Sequence, residues 1–253
     1  LSTGTVLGSV LIAILFAYEG WINVTPIVGE MKNPGKDLPK AFAGGILIIM
    51  AIYLLVNVAY LWVLPADQLK DCSSPAVAVA EVIFGPVGGK IIAAGILISV
   101  FGALNGFLLS GSRVAYTLGV QKMIPGYKAF GKLNASDVPG NGVLLIGALA
   151  CIYALTGQFN LLTDLATFTG WVFYVMTFIA VIILRRTKPD IERVYKVPLY
   201  PIVPGIAIVG GGFVLINQLF MAGSGPRMVA LAGIGITLIG LPIYLIMTRK
   251  KAE

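Results

Sequence analysis

Seven apolar runs, at residues 5–28, 41–64, 86–111, 141–156, 159–184, 202–221 and 228–248, dominate this chain of 253 residues. Each reaches, or nearly reaches, the length that a helix needs to cross a hydrocarbon core of ~30 Å. The fourth is short and needs its flanks to do so. Between the runs stand turn signals: Asn33-Pro34-Gly35, Pro65, Pro125-Gly126, Pro139-Gly140, Gly157, Pro189, Pro198 and the stretch from Gly223 to Pro226. Charged residues make up only 11% of the chain, where a soluble domain carries about 25%. The expected class is an all-α polytopic membrane protein.

The basic residues set the orientation. Lys32, Lys36 and Lys40 follow the first run; Arg113, Lys122, Lys128 and Lys132 follow the third; Arg185, Arg186, Lys188, Arg193 and Lys196 follow the fifth; Arg249, Lys250 and Lys251 follow the last. Of the 18 Lys and Arg residues, only Lys70, Lys90 and Arg227 fall on the opposite face. By the positive-inside rule the richer face is cytoplasmic, so the chain starts outside and its C-terminus is cytoplasmic. This distribution explains the net charge of +7 as topology and leaves no reason to invoke nucleic acid. There is no histidine, and Cys72 and Cys151 lie in a loop and inside an apolar run. A disulfide between them is not expected, and no Cys/His metal cluster is available.

The first run contains a contradiction. Residues 5–28 as one helix would extend about 36 Å, yet Glu19 and Gly20 stand at its middle. A carboxylate at the centre of a span costs roughly 2.5–3.5 kcal/mol on insertion scales. Gly20 weakens the helix at the same point. A charge and a glycine at mid-depth match the unwound substrate site of a transporter. The opening residue Leu1 is not Met, and no basic n-region or cleavage site precedes the first run; the simplest expectation is that the N-terminal part of a longer protein is missing. The segment 65–85 is neither a plain loop nor a span. Its Ser73-Ser74-Pro75 start predicts a short helix lying over the outer mouth.

Motifs identify a family. The stretch FAYEGWINVTPIVGEMKNPGKDLPKAF (16–42) resembles the sixth helix and following loop of L-type amino acid transporters, in the amino acid–polyamine–organocation superfamily. FGALNGFLLSGSRVAY (101–116) resembles that family's eighth helix, RRTKPDIERVYKVPLYP (185–201) its loop between helices ten and eleven, and LIGLPIYL (238–245) its twelfth helix. The resemblance spans essentially the whole chain and comes nearest to bacterial serine/threonine and small-neutral amino acid exchangers. It implies the LeuT-type inverted-repeat fold of twelve helices. Residues 1–184 would be the second five-helix repeat, 185–201 a cytoplasmic loop, and 202–253 helices eleven and twelve with a tail. The first repeat would be missing. The implied activity is sodium-independent exchange of small neutral amino acids across the plasma membrane by alternating access, without a cofactor.

The resemblance also implies site residues. The substrate ammonium would meet backbone carbonyls of Phe16, Ala17 and Glu19 at the break beside Gly20, with Phe16 as an aromatic gate. Helix ends present unpaired C=O and N–H groups suited to a zwitterion. Glu19 either contacts the ammonium, couples transport to a proton, or pairs with a basic residue elsewhere. Trp21 lines the pocket or anchors the second half-helix. Asn105, a mid-span amide beside Gly106, touches substrate or bonds a neighbouring helix. Phe168 and Trp171 share a helix face and match the family's helix-ten gate aromatics, or else pack against neighbours. Asp164 complements the start of its own helix more readily than it couples protons. Glu30 sits at a helix end that disfavours an acid, which points to a basic partner; Arg113 is the candidate, as an inner gate or a static pair.

Other function classes fare worse. Proton-coupled symport within the same superfamily is the main alternative, with Glu19 as its carrier. A seven-helix receptor fits by count, but a retinal protein needs a lysine in its last span, and 228–248 has none. An intramembrane hydrolase lacks the histidines for its usual sites. The expected partners are an amino acid substrate, membrane lipid and the missing N-terminal half. Human relatives join a single-span accessory glycoprotein through a cysteine in that first half, so these residues are silent on such a subunit.

Overall fold

The computed structural model describes residues 3–249 other than Val194 and Ala222. Its helices are α1 (Thr3–Ala17), α2 (Pro34–Val63), α3 (Ala66–Leu69), α4 (Pro75–Val120), α5 (Tyr127–Phe130), α6 (Gly140–Leu155), α7 (Phe159–Thr187), α8 (Ile202–Ile216) and α9 (Ser224–Arg249). A 3₁₀ helix, Trp21–Glu30, follows α1, and a π turn, Asn217–Met221, extends α8. The described residues contain no strand, and the fold is all-α.

The seven apolar runs become six helical segments of spanning length and one shorter helix. The shorter one is α6, whose 16 residues rise only about 24 Å. Its flanks do not extend it. Pro139 precedes it, and it stops where Gly157 takes φ 64° and Thr156 Oγ1 bonds the Tyr153 carbonyl at 2.6 Å. At the other extreme, α4 runs well past both ends of its apolar core. A non-helical Gly85 (φ 72°, ψ −175°) divides it, and the ten-residue leg before the break begins at Pro75, as a proline at a first helical position allows.

The chain divides into two units, Leu1–Pro26 with Gly111–Glu253, and Ile27–Ser110. In the first, α7 packs against α8, α9 and α1. Ile12, Phe168, Val214 and Ala230 form its buried centre, with Leu11, Leu15, Val172, Leu215, Leu219 and Ile234 around them. Lipid tails are as apolar as leucine, so helices in a bilayer associate through close contact more than through the hydrophobic effect. Glycines supply that contact. A methyl group on Gly211 would lie 2.6 Å from Val175 Cγ2 and 3.1 Å from the Trp171 ring, and one on Gly233 would lie 2.7 Å from Thr169 Oγ1. At the start of α6, Gly142 lies against the fully buried Ser112, and Asn141 Nδ2 donates to the Ala129 carbonyl at 2.9 Å.

The loop from α7 to α8 is pinned by one side chain. Arg193 Nη1 donates to the carbonyls of Pro189 and Ile191, and Nη2 to those of Leu184 and Lys188, at 2.7–3.2 Å. The guanidinium thereby satisfies the carbonyls that the end of a helix leaves over. Arg185 stacks on the Tyr200 ring at 4.1 Å, a cation–π contact at the α8 end of the loop.

In the second unit, α2 has no buried residue; Leu55 is 70% exposed and Trp62 89%. A helix apolar all round needs an apolar solvent or protein on every face. At mid-helix, Asn57 Nδ2 donates to the Tyr53 carbonyl at 2.8 Å. The leg before Gly85 buries Val79 and Ala80, and Gly89 leaves room for the Glu81 side chain. Cys72 and Cys151 are free thiols.

Adjacent glycines on α8 give a test of the packing. Gly211→Ala forces a clash and should lower stability by about 1–3 kcal/mol. Gly212, with nothing within 4 Å of a methyl group, should tolerate alanine and gain up to ~1 kcal/mol from helix propensity. Thermal melting of the two variants in detergent reads the difference; equal melting temperatures would refute the close packing of α7 on α8.

Candidate substrate site at the helix break

The α1 helix ends at Ala17, short of the depth its hydrophobic length allows. Tyr18 N–H reaches the Ile14 carbonyl at 3.1 Å, the last such bond in register, and Glu19 N–H turns to Phe16 at 3.0 Å. Gly20 takes φ 119°, a conformation strained for any residue with a Cβ. Asn23 N–H then bonds the Gly20 carbonyl at 3.0 Å, and the 3₁₀ helix proceeds from Trp21. The break therefore sets the C-terminal end of one helix beside the start of another within three residues. The first carries partial negative charge and the second partial positive charge.

Tyr174, on α7, organises the side chains at this break. Its hydroxyl donates to Glu19 Oε1 at 2.5 Å. The Trp21 ring tilts against the Tyr174 ring at a centroid distance of 5.2 Å, and the Trp171 ring meets it edge-on at 5.6 Å. Such aromatic contacts contribute about 0.5–1.5 kcal/mol each beyond burial. One carboxylate oxygen thus has a fixed donor. A carboxylate offers about four lone-pair positions, so capacity remains for a cationic ligand group. The Trp171 indole N–H is buried without an acceptor among the described residues.

Glu19, Gly20, Trp21 and Trp171 come together, with Phe16 and Ala17 on the approach. Phe16 is 39% exposed and its ring meets that of Phe159 edge-on at 6.2 Å. Phe168 lies elsewhere: at 1% exposure it packs with Ile12, Val214 and Ala230 in the core. Three residues apart on α7, it and Trp171 serve different surroundings. Asn105 belongs to the second unit, where its Nδ2 donates to the Phe101 carbonyl at 3.1 Å. Arg113 lines a cleft of about 550 Å³ with Thr25, Tyr116, Thr117 and Asp137; the side chain of Glu30, its expected partner, lies outside the described residues. Among the described residues, no three His, Cys, Asp or Glu side chains group as metal ligands.

Tyr174 was not among the residues singled out from the sequence. Two signals pointed to it: it follows Trp171 by one helical turn, and a hydroxyl within a span needs a partner. Which partner it takes depends on how α1 and α7 face each other, and that is a tertiary fact.

The amino acid permease family profile matches residues 2–247. The serine/threonine exchanger SteT of Bacillus subtilis is 40% identical over 97% of this chain and 56% of its own length. The rat b(0,+)-type amino acid transporter 1 is 28% identical over 98% of this chain and 50% of its own. The branched-chain amino acid permease BcaP of Lactococcus lactis is 28% identical over 79% of this chain and 43% of its own. The chain spans about half the length of these relatives. With a family match that runs almost from end to end, the chain belongs to the amino acid permease family of the amino acid–polyamine–organocation superfamily.

Proposed function

We propose that this chain is the C-terminal half of a plasma-membrane transporter that exchanges small neutral L-amino acids, independently of sodium, by alternating access. The observation that carries this reading is the break at Tyr18–Gly20, with Glu19 held by Tyr174 between Trp21 and Trp171. A zwitterion needs acceptors for its ammonium and donors for its carboxylate. On this reading the backbone carbonyls of Phe16, Ala17 and Glu19 and the Glu19 carboxylate take the ammonium. The substrate carboxylate meets a second broken helix in the N-terminal half, as inverted-repeat transporters arrange it. Phe16 closes over the substrate, and Trp21 and Trp171 line it. Asn105 stands as a further binding residue on the strength of the family resemblance, with Glu30 and Arg113 as an inner gate, while Phe168 takes the packing role that its burial gives it. The C-terminus faces the cytoplasm. The exchanger among the relatives, SteT, supports exchange and a small hydroxylated substrate.

A second reading, proton-coupled symport, is favoured by one observation: a single carboxylate at the break, hydrogen-bonded to a phenol. A carboxylate that cycles between protonated and ionised forms suits proton coupling.

Reconstituted full-length protein in liposomes separates the two. Exchange predicts that uptake of labelled serine, alanine or leucine requires unlabelled amino acid inside and ignores sodium. Uptake into empty vesicles driven by a proton gradient would instead support symport. A hydrogen bond to a charged group contributes about 1.5–3 kcal/mol. Under exchange, Glu19→Gln should therefore raise the KM for external substrate by about tenfold or more, while gradient-free exchange persists. Tyr174→Phe should raise it less, by roughly three- to tenfold, because the carboxylate stays but loses its orientation. If both variants keep the parental KM, the Glu19 site is wrong.

A further inference from the structure

The π turn at the end of α8 holds α1 by a contact that the proposed transport mechanism has not used. Asn217 is fully buried. Its Nδ2 donates to the Gly4 carbonyl of α1 at 2.7 Å, and its side chain occupies the notch left by Gly8. A methyl group on Gly8 would lie 2.0 Å from Asn217 Oδ1, so no residue but glycine fits there with Asn217 in place. Gly4 and Gly8 are one turn apart, and Ile12, a further turn along, enters the core beside Phe168 and Val214. The face of α1 that carries the Asn217 contact thus continues into the packed centre and, beyond it, to the break at Glu19. About 20 Å of helix separates Gly4 from Ala17, where the break begins. α1 is therefore held by a polar contact at each end: Asn217 at its start, and Tyr174 through Glu19 just past its finish.

The chemistry at the Asn217 end is incomplete. Its Oδ1 is buried without a partner among the described residues, as is Oε1 of the neighbouring Gln218. A half-satisfied buried amide is a costly arrangement, which lowers the barrier that its packing sets to leaving it. Single-turn π segments, moreover, recur at functional positions in helices. We propose that Asn217 is a positioning residue: its amide latches the first half of the broken helix in one of the two positions that alternating access requires. This rests on the transport reading above, because only a transporter needs α1 to have two positions. Releasing the latch would leave the substrate contacts intact and change the population of the two states. Each side's apparent affinity scales with the fraction of molecules open to that side.

The test uses the full-length transporter in liposomes, with KM measured separately for external and internal serine. In Asn217→Ala the two KM values should move in opposite directions, by about three- to tenfold each. A residue that only supports folding would lower the amount of active protein and leave both KM values in place. Gly8→Ala, which expels the Asn217 side chain from its notch, should shift them the same way. The double variant should match Asn217→Ala alone, since both changes break one contact. KM values that stay put, or that rise together, in variants with normal expression would overturn the latch while leaving transport intact. A flux-independent readout guards against failure of the transport reading itself: Ala13→Cys, on an exposed part of α1, introduced with Cys72→Ser and Cys151→Ser. Its thiol-labelling rate should change at least threefold when Asn217→Ala is added. An unchanged rate would refute the latch even if no amino acid flux is found under any gradient.

Discussion

Water is absent from the interior of a bilayer, so every backbone N–H and C=O group there needs a partner from the protein. Six of the apolar segments meet this demand along their length by staying helical. The first does not: between Ala17 and Trp21 the register changes, Gly20 takes a left-handed φ, and a carboxylate stands at the gap. A chain tolerates such a gap only where protein lines it or where a polar ligand takes up its free groups. The remainder of the first unit is arranged around that exception. Tyr174 brings its hydroxyl to Glu19, the Trp21 and Trp171 rings lean on Tyr174, and α7 is held at the required height by α8 and α9.

The two units rely on packing to different extents. In the first, glycines at 142, 211 and 233 let helices approach within the space of a missing methyl group. The second presents α2, long and apolar on every face, with no buried residue along it. Dispersion between closely fitted surfaces stabilises the first. What surrounds the apolar length of α2 has to be apolar on every side, and Asn57 within it accordingly bonds its own helix.

The architecture was largely legible in the sequence because membrane spans announce themselves by length and composition. The broken first helix was legible too: Glu19 and Gly20 are costly at mid-span whatever surrounds them. Legibility failed where a neighbour decided the outcome. Phe168 and Trp171 share a helix face, yet one fills the core against Ile12 and Val214 while the other meets Tyr174; a three-residue spacing cannot separate those fates. Tyr174 and Asn217 escaped notice for the same reason. A lone hydroxyl or amide in an apolar run states that it needs a partner, without saying which. The fourth run stopped short for a local reason, the turn at Thr156 and Gly157.

The clasp made by Arg193 sets the character of the joint between α7 and α8. Its guanidinium is met by the carbonyls of Leu184, Lys188, Pro189 and Ile191, acceptors that the end of a helix leaves over. A surface ion pair sets a cation against a carboxylate; the Arg193 bonds go to backbone carbonyls instead. α7, which carries Tyr174 and Trp171, thus leads toward α8, which the Asn217 turn extends, through a bend whose first residues are tied to the end of α7. The packing of α8 on α7 then joins the two helices along their length, so the side chains that reach α1 and the break beyond it, Asn217 and Tyr174, stand on one packed pair.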